Sequence, residues 1–329
     1  MGEIIGRQIE VGIGVEDTRG GAFATAERWV KKISANIVAK AEKKVDESTM
    51  NVLEESLGAR VVKKWFEGEL DGNVQADLIG YLLYNVYGAV SSAVVSGSVY
   101  GHTFTLENSI QHPSLTLYAK DGSISQEAYQ NTMLSNLEIS ASVDDYVKFK
   151  AGFMAKDSVA NTSTPAYATE YDFIGKDVSV KFADTEGGLA GATAIKLKDI
   201  SIKWDLGLLV NHVLGAYAPD DIYNTNSMLD IDFTIDYSDD TYKDLYTADT
   251  YKYMQIVIEG DAVIGGTLHP SITMILNRVQ VMDWNRNDGG ASELVDEPIS
   301  VKAFYNTTDE EASSLVLQNL TTEYDIPLS

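Results

Sequence analysis

The stretch MLDIDFTIDY, residues 228–237, alternates between apolar and polar side chains. Its apolar positions are Leu229, Ile231, Phe233 and Ile235, and the positions between and after them are Asp230, Asp232, Thr234 and Asp236. A period of two places these two sets on opposite faces of a β-strand. The stretch therefore predicts a strand with one buried face and one acidic face in water.

The same alternation recurs along most of the chain, in short segments rich in Val, Ile, Thr, Tyr and Phe. Gly, Asn, Asp and Ser separate these segments, as expected for turns between strands. The clearest examples are SLTLYA (114–119), LEISASV (137–143), VKFKAGF (147–153), DVSVKFA (177–183) and AIKLKDISIKW (194–204). The chain is predicted to be mainly β.

Two segments follow a helical period instead. The segment QADLIGYLLYNVYG (75–88) carries one apolar stripe, formed by Leu78, Ile79, Leu82, Leu83 and Val86. Gly88 is its predicted stop. The shorter segment SDDTYKDLY (238–246) is predicted to start a helix at Ser238 with acidic residues in its first turn. Each helix follows an acidic strand, which predicts one small helix in each half of the chain.

A repeated frame suggests that the two halves are copies. QHPSLTLYA (111–119) matches LHPSITMIL (268–276), and the tripeptide LGA (57–59, 214–216) recurs at the same spacing. Further matches occur in the same order: VKKISANI (30–37) with LKDISIKW (197–204), GELDGNV (68–74) with LDIDFTI (229–235), LSNLEI (134–139) with LNRVQV (276–281), and VKFKAGF (147–153) with VKAFYN (301–306). A collinear series predicts a duplication in which the two His-Pro-Ser frames enter copies of one strand.

The segment KDSVANTSTPAYATEY (156–171) is dense in Ser, Thr, Asn and Ala, which is typical of a linker. It divides the chain into a first domain (1–157), a linker (158–170) and a second domain (171–329). This division agrees with a prior of about 150 residues per domain.

The charge balance disfavours a protein that grips the phosphate backbone of nucleic acid. Lys and Arg number 25 against 49 Asp and Glu, a net charge of -24, and binding to phosphates needs a cationic surface. Residues 205–329 hold most of the excess, with 22 acidic and 5 basic side chains. There is no Cys, which excludes disulfides and thiolate metal sites. Without a signal-peptide pattern or an apolar run of about 20 residues, we expect synthesis in the cytoplasm and no membrane binding by this chain alone.

No motif indicates catalysis. His112 and His269 each precede Pro, which favours an extended backbone at a strand entry over a catalytic role. The segment VGIGVEDTRGG (11–21) lacks the third glycine of a dinucleotide-binding loop, and a flexible or strand-turn arm is preferred there. The acidic run DIDFTIDYSDD (230–240) lacks the frame of an EF-hand, so a solvated acidic face is preferred over a metal site. The sequence predicts no catalytic residue, no cofactor and no metal, and no enzyme.

Several stretches together resemble the tail tube proteins of long-tailed phages and related viruses. In the first half these are VGIGVEDTRGGAF (11–23), VDEST (45–49), KKWFEGELDGNVQADLIGYLLYNVYG (63–88), HTFTLENSIQHPSLTLYAKDG (102–122) and LSNLEIS (134–140). In the second half, ISIKWDLGLLVNHVLGAYAPDDIYNTNSMLDIDFTIDY (200–237) is similar to the family's second run of strands.

The resemblance implies a fold and a function. The implied fold is a tandem pair of tail-tube β-sandwich or barrel domains, each flanked by a small helix. Three two-domain chains would form a pseudo-sixfold ring, and rings would stack into a virion tail tube for ejection of the phage's double-stranded DNA. The DNA would pass without sequence-specific binding. Implied partners are further copies of the chain, the tape measure protein, the tail terminator and baseplate proteins.

The resemblance also suggests two sets of surface residues. Candidates to line the tube with negative charge are Glu69, Asp71, Asp230, Asp232 and Asp236. Candidates for contacts between stacked rings come from the N-terminal arm and from the polar segment 40–64: Gly12, Gly14, Glu16, Arg19, Asp46, Glu47, Glu54, Glu55 and Arg60. The alternative for segment 40–64 is a solvated loop or a short surface helix that makes no assembly contact.

Two other classes stay open. The first comprises other tail components: a terminator, a baseplate ring protein or the inner tube of a contractile tail. These proteins share the implied fold, and whether the purified protein polymerises indefinitely separates them. A carbohydrate-binding or cell-surface β-sandwich is a more distant alternative. The 18 Tyr residues could supply an aromatic binding surface, but Tyr is also common in β-strands of any function.

Overall fold

The computed structural model describes residues 3–21, 25–48, 50–51, 53, 56–109, 111–290 and 292–325. The strands of the first half are β1 (Ile9–Val15), β2 (Arg28–Val30), β3 (Lys32–Asp46), β4 (Gly58–Asn73), β5 (Gly88–Ser96), β6 (Val99–Leu106), β7 (Leu115–Asp121), β8 (Ser125–Ser142), β9 (Lys148–Ala155) and β10 (Asp157–Ala160). Those of the second half are β11 (Val178–Ala183), β12 (Leu197–Asp205), β13 (Leu208–Asn211), β14 (Asp221–Asn224), β15 (Met228–Asp236), β16 (Lys252–Glu259), β17 (Ser271–Trp284), β18 (Asp296–Ala303) and β19 (Ser313–Asn319). The α-helices are α1 (Ile79–Tyr87) and α2 (Thr241–Thr247), and short 3-10 helices cover Gly6–Gln8, Gly175–Asp177 and Glu186–Gly191.

Alternating burial confirms the predicted β class. In β15 the apolar set is buried, including Ile231 at 0% and Phe233 at 1% exposure, while the acidic residues between them reach solvent. The chain is mainly β, as the sequence predicted. In the described part of the chain, no helix has the length and apolar character needed to cross a bilayer.

Eight antiparallel strands form one continuous sheet that crosses both halves of the chain. Their order is β3-β4-β9-β8-β12-β15-β18-β17. The two halves meet where β8 pairs with β12, with Glu138 opposite Lys203 and Ile139 opposite Ile202. The first four strands and the last four therefore occur in the same relative order along the chain.

A second layer of strands covers the apolar side of this sheet. It consists of two groups of strands, β2-β1-β7-β8-β10 and β5-β6-β19-β17-β16-β11. In the second group, β5 and β6 from the first half join strands of the second half through the pairing of β6 with β19. The strands β8 and β17 are long enough to pair in both layers, the first part of each lying in the covering layer. The facing apolar side chains form one large core that includes residues from both halves.

Helix α1 packs into this core and α2 lies near its margin. Eight of the nine residues of α1 are buried, and it ends at Gly88, whose positive φ of 86° forms the left-handed cap that the sequence predicted. Helix α2 begins at Thr241 and not at Ser238, and none of its residues is fully buried. Each half thus has one small helix, as expected.

Two expectations from the sequence were wrong. The segment 40–64 is neither a loop nor a helix over most of its length, because β3 continues to Asp46 and β4 begins at Gly58. The two His-Pro-Ser frames enter strands with different surroundings. His112 precedes β7, which pairs with β1 and β8, whereas His269 precedes β17, which contributes to both layers. A proline extends the backbone before any strand, so the frame recurs without marking equivalent strands.

Candidate assembly surfaces

The five carboxylates expected to line a tube lie on one surface, the solvent-facing side of the eight-stranded sheet. Glu69 and Asp71 alternate on β4 with the buried Leu70 and Gly72, and the three aspartates of β15 alternate with its buried apolar residues. Strands in register carry side chains of one face to the same side of a sheet. We name this surface the polar face.

Lysines from neighbouring strands neutralise most of these carboxylates. The pairs are Glu69 with Lys150 (3.2 Å), Asp230 with Lys302 (3.7 Å), Asp232 with Lys203 (2.7 Å) and Asp236 with Lys198 (2.6 Å). Asp71 instead accepts a hydrogen bond of 2.6 Å from the Ser34 hydroxyl. The sequence suggested an acidic face because the lysines stand on other strands, far along the chain.

The pairs shift the ionisation of their members. Partial burial acts to raise the pKa of Asp232, but hydrogen bonds from Lys203 and Ser300 outweigh it and hold that pKa below its ordinary value. The hydrogen bond to Glu69 raises the pKa of Lys150. The lowered pKa of Asp232 and the raised pKa of its partner Lys203 keep this pair of the polar face ionised at neutral pH.

Two edges of the eight-stranded sheet have no partner strand within the described residues. One is the edge of β3 that faces away from β4. The other is the end of β17 beyond Val279, on the side away from β18. An open edge presents backbone N–H and C=O groups that another strand can pair with. Both ends of the sheet are therefore able to accept a further strand.

A long β-hairpin extends beyond the end of the sheet. We name it the projecting hairpin; it comprises the described residues of 41–63, where β3 and β4 pair with each other from Ala41–Lys64 to Asp46–Gly58. Near its tip, Met50 is 67% and Leu53 105% exposed. Of the candidate stacking residues, Asp46, Glu47 and Arg60 are exposed here, while Glu54 and Glu55 lie outside the described residues.

Glu16 lies inside the chain, contrary to what a contact between rings needs. Its carboxylate is 4% exposed and accepts hydrogen bonds from the Thr116 hydroxyl (2.9 Å), the Asn131 N–H (2.7 Å), the Gly20 N–H (2.8 Å) and the Ser114 hydroxyl. Burial raises its pKa despite these donors. The nearby Gly12 and Gly14 are also buried, and a Cβ on Gly12 would lie 3.1 Å from the Trp29 ring.

Arg19 connects the two halves of the chain. Its guanidinium donates to the His112 and Ile222 carbonyl oxygens and lies 3.3 Å from the Asp221 carboxylate. Asp221 and Ile222 belong to β14, which forms a small hairpin with β13 in the second half. The sequence offered no signal for this role, because residues 19 and 221 are separated by most of the chain.

Three of the four histidines occupy structural positions. The ring of His112 is buried between the Asn85 carbonyl oxygen (3.0 Å) and the Glu107 carbonyl oxygen (3.1 Å). His269 contacts the Ala262 carbonyl oxygen at 3.1 Å. His102 lies between Ser92 and Asn319 in the core. Over the described ranges, no group of three or more His, Asp or Glu side chains is arranged to hold a metal ion.

Comparison with known proteins gives a family match and no curated relative. The model of a family described as "Phage tail tube protein" matches residues 6–303. No curated protein matches the sequence significantly. The family match covers both halves of the eight-stranded sheet and the projecting hairpin.

Proposed function

The chain belongs to the phage tail tube protein family, and from this premise we propose that three copies close into a ring whose stacked repeats form the tail tube of the virion. Phage DNA leaves through the tube. The proposed role is structural and needs no cofactor. Other partners would be the tape measure, terminator and baseplate proteins.

The seam between β8 and β12 is the observation that carries this proposal. It shows, within one chain, how one four-stranded unit pairs edge to edge with the next. If a second copy repeats this seam, the open end of β17 pairs with the open edge of β3 in the next chain. The same contact at every boundary closes a ring of six units from three chains.

Matching irregularities support the duplication behind this scheme. A bulge follows Leu134 in β8 and another follows Val281 in β17, at the same point of the two units. The strand β3 has a bulge near its start, between Lys32 and Ser34, and β12 has one between Leu197 and Asp199. Bulges are specific local features, so their coincidence supports two copies of one unit. The domains 1–157 and 171–329 with a linker at 158–170 remain our proposal.

The equivalence defines a register for the boundary between chains. Counting from the bulges, Glu138 corresponds to Asn285 and Lys203 corresponds to Val38. Because Glu138 faces Lys203 at the internal seam, we expect Asn285 of one copy to face Val38 of the next. Both residues are exposed in the single chain, as an unoccupied boundary requires.

We propose that the polar face lines the tube. Its lysines are held by carboxylates within 4 Å, which leaves them poorly placed to grip phosphate. Asp71, which is hydrogen-bonded to Ser34 and not paired with a lysine, would repel phosphate. A conduit of this kind lets DNA slide without sequence-specific contact. The candidate lining residues are those of the sequence prediction: Glu69, Asp71, Asp230, Asp232 and Asp236.

Electron microscopy of the purified protein tests the assembly. We expect hollow tubes or stacked rings, with threefold symmetry and six similar lobes in end-on views. Rings that never lengthen would favour a terminator or baseplate component. Compact monomers that bind an oligosaccharide would instead support a β-sandwich binding module.

Disulfide cross-linking tests the register. The chain has no Cys, so the double variant Val38→Cys with Asn285→Cys introduces the only thiols. Oxidation should link neighbouring copies into trimers. The matched control, Ala39→Cys with Asn285→Cys, points one thiol to the opposite face of its strand and should link poorly. Equal linking in both variants would contradict the register.

A further inference from the structure

The register of the boundary between two copies places opposite charges face to face. Counting from the same bulges, Asp283 in β17 occupies the position of Asn136 in β8, and Lys40 in β3 occupies that of Asp205 in β12. At the internal seam, Asn136 lies opposite Asp205. In the same register, Asp283 of one copy lies opposite Lys40 of the next.

Both charged groups are available to a neighbouring copy. Asp283 is exposed, and Arg286, the basic residue that follows it, lies 3.1 Å from the Asp288 carboxylate instead. The side chain of Lys40 is 43% exposed and lies 3.3 Å from the Glu67 carboxylate. Because an ammonium group has three donors, Lys40 can bind a second carboxylate without leaving Glu67.

The polar face already contains cross-strand pairs of this kind. Six residues that lie opposite one another on adjacent strands alternate strictly in charge. They are Asp71 on β4, Lys150 on β9, Glu138 on β8, Lys203 on β12, Asp230 on β15 and Lys302 on β18. Opposite charges on facing residues stabilise the pairing of strands. A pair between Asp283 and Lys40 extends this arrangement from one copy to the next.

The core side of the same register is complementary in volume. At the internal seam, the buried Leu137 of β8 lies opposite the buried Trp204 of β12. Their equivalents at the boundary are Trp284 of β17 and Ala39 of β3. Each seam thus holds one tryptophan, on opposite strands in the two cases. The small side chain of Ala39 leaves room for the Trp284 indole of the neighbouring copy.

A turn that the two halves share gives an independent comparison. VGIGVEDTRGG (11–21) and VSVKFADTEGG (178–188) both place Asp-Thr-x-Gly-Gly after a strand. The strands are equivalent, since β1 pairs with β7 as β11 pairs with β16. In each turn the last glycine N–H donates to the threonine carbonyl oxygen three positions earlier, at 2.7 Å in the first half and 3.0 Å in the second.

The variable position of this turn reverses its charge, from Arg19 in the first half to Glu186 in the second. Arg19 contacts Asp221, in the segment between β12 and β15. The corresponding segment of the first half runs between β3 and β4, where residues 40–46 and 58–64 carry six basic and two acidic side chains. An exposed carboxylate at Glu186 therefore suits the basic segment of a neighbouring copy, as Arg19 suits Asp221 within the chain.

We propose that copies within one ring are joined by charges of opposite sign. Asp283 of one copy pairs with Lys40 of its neighbour, and Glu186 lies toward the neighbour's basic residues between β3 and β4. The contact lies side by side within a ring and not between stacked rings. This inference rests on the proposed function and names the side chains that select the partner edge. Two β3 edges or two β17 edges lack the opposite-charge pair, so the pair favours the order that closes a ring.

A charge reversal and its rescue test the proposal. Asp283→Lys and Lys40→Asp each place like charges at the boundary, so each should raise the protein concentration needed for ring formation by about tenfold or more. The double variant restores opposite charges in exchanged positions and should form rings within about threefold of the wild-type concentration. Sedimentation and electron microscopy measure ring formation. Asp144→Lys is the matched control, because it makes the same change of charge on an exposed turn away from both open edges.

Salt provides a readout that general destabilisation would not produce. Between about 0.1 and 1 M NaCl, the screening length falls from about 10 to about 3 Å. Ring formation by the wild type should weaken over this range, because attraction between the copies is screened. Ring formation by Asp283→Lys should improve, because repulsion from Lys40 is screened. The same response in both proteins would contradict the ion pair.

A milder substitution keeps the test valid if the charge reversal impairs folding. The Asp283 carboxylate accepts a hydrogen bond from the Trp284 N–H at 2.9 Å, which lysine cannot replace. Asp283→Asn retains an acceptor and removes the charge, and it should raise the concentration for ring formation by about threefold. Circular dichroism of each variant shows whether it folds.

The outcomes separate this inference from the proposed function. Rings from Asp283→Lys at the wild-type concentration would overturn the inference and leave the proposed function intact. A double variant that forms rings no better than either single variant would overturn it as well. Wild-type protein that forms neither rings nor tubes would overturn the proposed function itself.

Discussion

The ring of Tyr324 occupies the space beside Gly80 in helix α1. A Cβ on Gly80 would lie 2.1 Å from Tyr324 Cζ, so only glycine permits this packing. The Tyr324 hydroxyl donates to the Asp77 carbonyl oxygen (2.7 Å) and accepts from the Asn319 amide (2.6 Å). The segment after β19 is thereby anchored on the helix of the first half.

Replacing Gly80 should destabilise this anchor. We expect Gly80→Ala to lower the free energy of unfolding by about 1–3 kcal/mol, as overpacking of a filled core does, despite the higher helix propensity of Ala. Thermal unfolding measures the change. Gly187→Ala is the control, because a Cβ there meets nothing within 4 Å. Equal melting temperatures for the two variants would contradict the role of Gly80.

Glu16 should contribute to stability through its oxygens. Both oxygens of the Glu16 carboxylate accept hydrogen bonds. In Glu16→Gln, an amide NH2 group replaces one of these oxygens, so a donor would face N–H or O–H donors and hydrogen bonds would be lost. We expect a loss of about 1–3 kcal/mol, measured by denaturant unfolding. Glu186→Gln, at an exposed position, should be nearly neutral. A Glu16→Gln variant as stable as wild type would show that the site tolerates a donor.

Glu170 should make stability depend on pH. Its side chain is 1% exposed beside Arg28 at 3.3 Å, and burial, only partly opposed by Arg28, raises its pKa to about 7. Because the folded state holds this proton more tightly than the unfolded state, the stabilisation is present below about pH 4.5 and is lost as the pH rises toward 7.

The variant Glu170→Gln isolates this effect. Across the window from about pH 4.5 to 7, we expect wild-type stability to fall relative to the variant by roughly 1–3 kcal/mol. Unfolding curves at several pH values measure the difference. Parallel pH profiles for the two proteins would contradict the raised pKa.

Substitutions of Arg19 and of Arg60 should have different effects, the first on folding stability and the second on assembly. Arg19→Ala removes hydrogen bonds to two carbonyl groups and leaves the Asp221 carboxylate without its arginine partner. We expect the free energy of unfolding to fall by about 2 kcal/mol. Arg19→Lys should restore little, because an ammonium cannot reproduce the guanidinium fork. Arg60→Ala, on the projecting hairpin, should leave unfolding unchanged and weaken tube growth. If Arg19→Ala weakened tube growth and left unfolding unchanged, Arg19 would be a residue of the stacking contact.

Removing the tip of the projecting hairpin should block growth and spare the fold. The described residues of 46–57 pair with no strand other than the two strands of the hairpin itself. We expect their deletion, with a two-residue turn in their place, to leave the melting temperature within a few degrees and to yield rings without tubes. Normal tubes from this variant would refute the role of the hairpin.

Much of the fold was predictable because its signals are local. The alternation in residues 228–237 predicted β15, and the apolar stripe with Gly88 predicted α1 and its end. The extension of β3 and β4 was missed because Lys and Glu dominate residues 40–47, and charged side chains usually indicate a loop. Those strands pair with each other beyond the sheet, where both faces meet water and no apolar alternation is required.

The candidate site was less predictable than the fold. The positions of Glu69, Asp71, Asp230, Asp232 and Asp236 on one face follow from strand periodicity, so the sequence determined that they share a surface. Their lysine partners stand on other strands, and only the pairing order brings Lys150 to Glu69 or Lys203 to Asp232. Glu16 and Arg19 read as parts of an exposed arm, yet they are held by residues about 100 to 200 positions away.

The sequence by itself determined the β class, the helix α1 and the resemblance to a tail tube, because alternation, capping and motif order depend on neighbours along the chain. Tertiary structure decided which edges of the sheet stay open, which end of the sheet carries the projecting hairpin, and whether a charged residue is paired or buried. These features arise from contacts between distant segments, and the strand register that creates those contacts is set by the packing of the whole core.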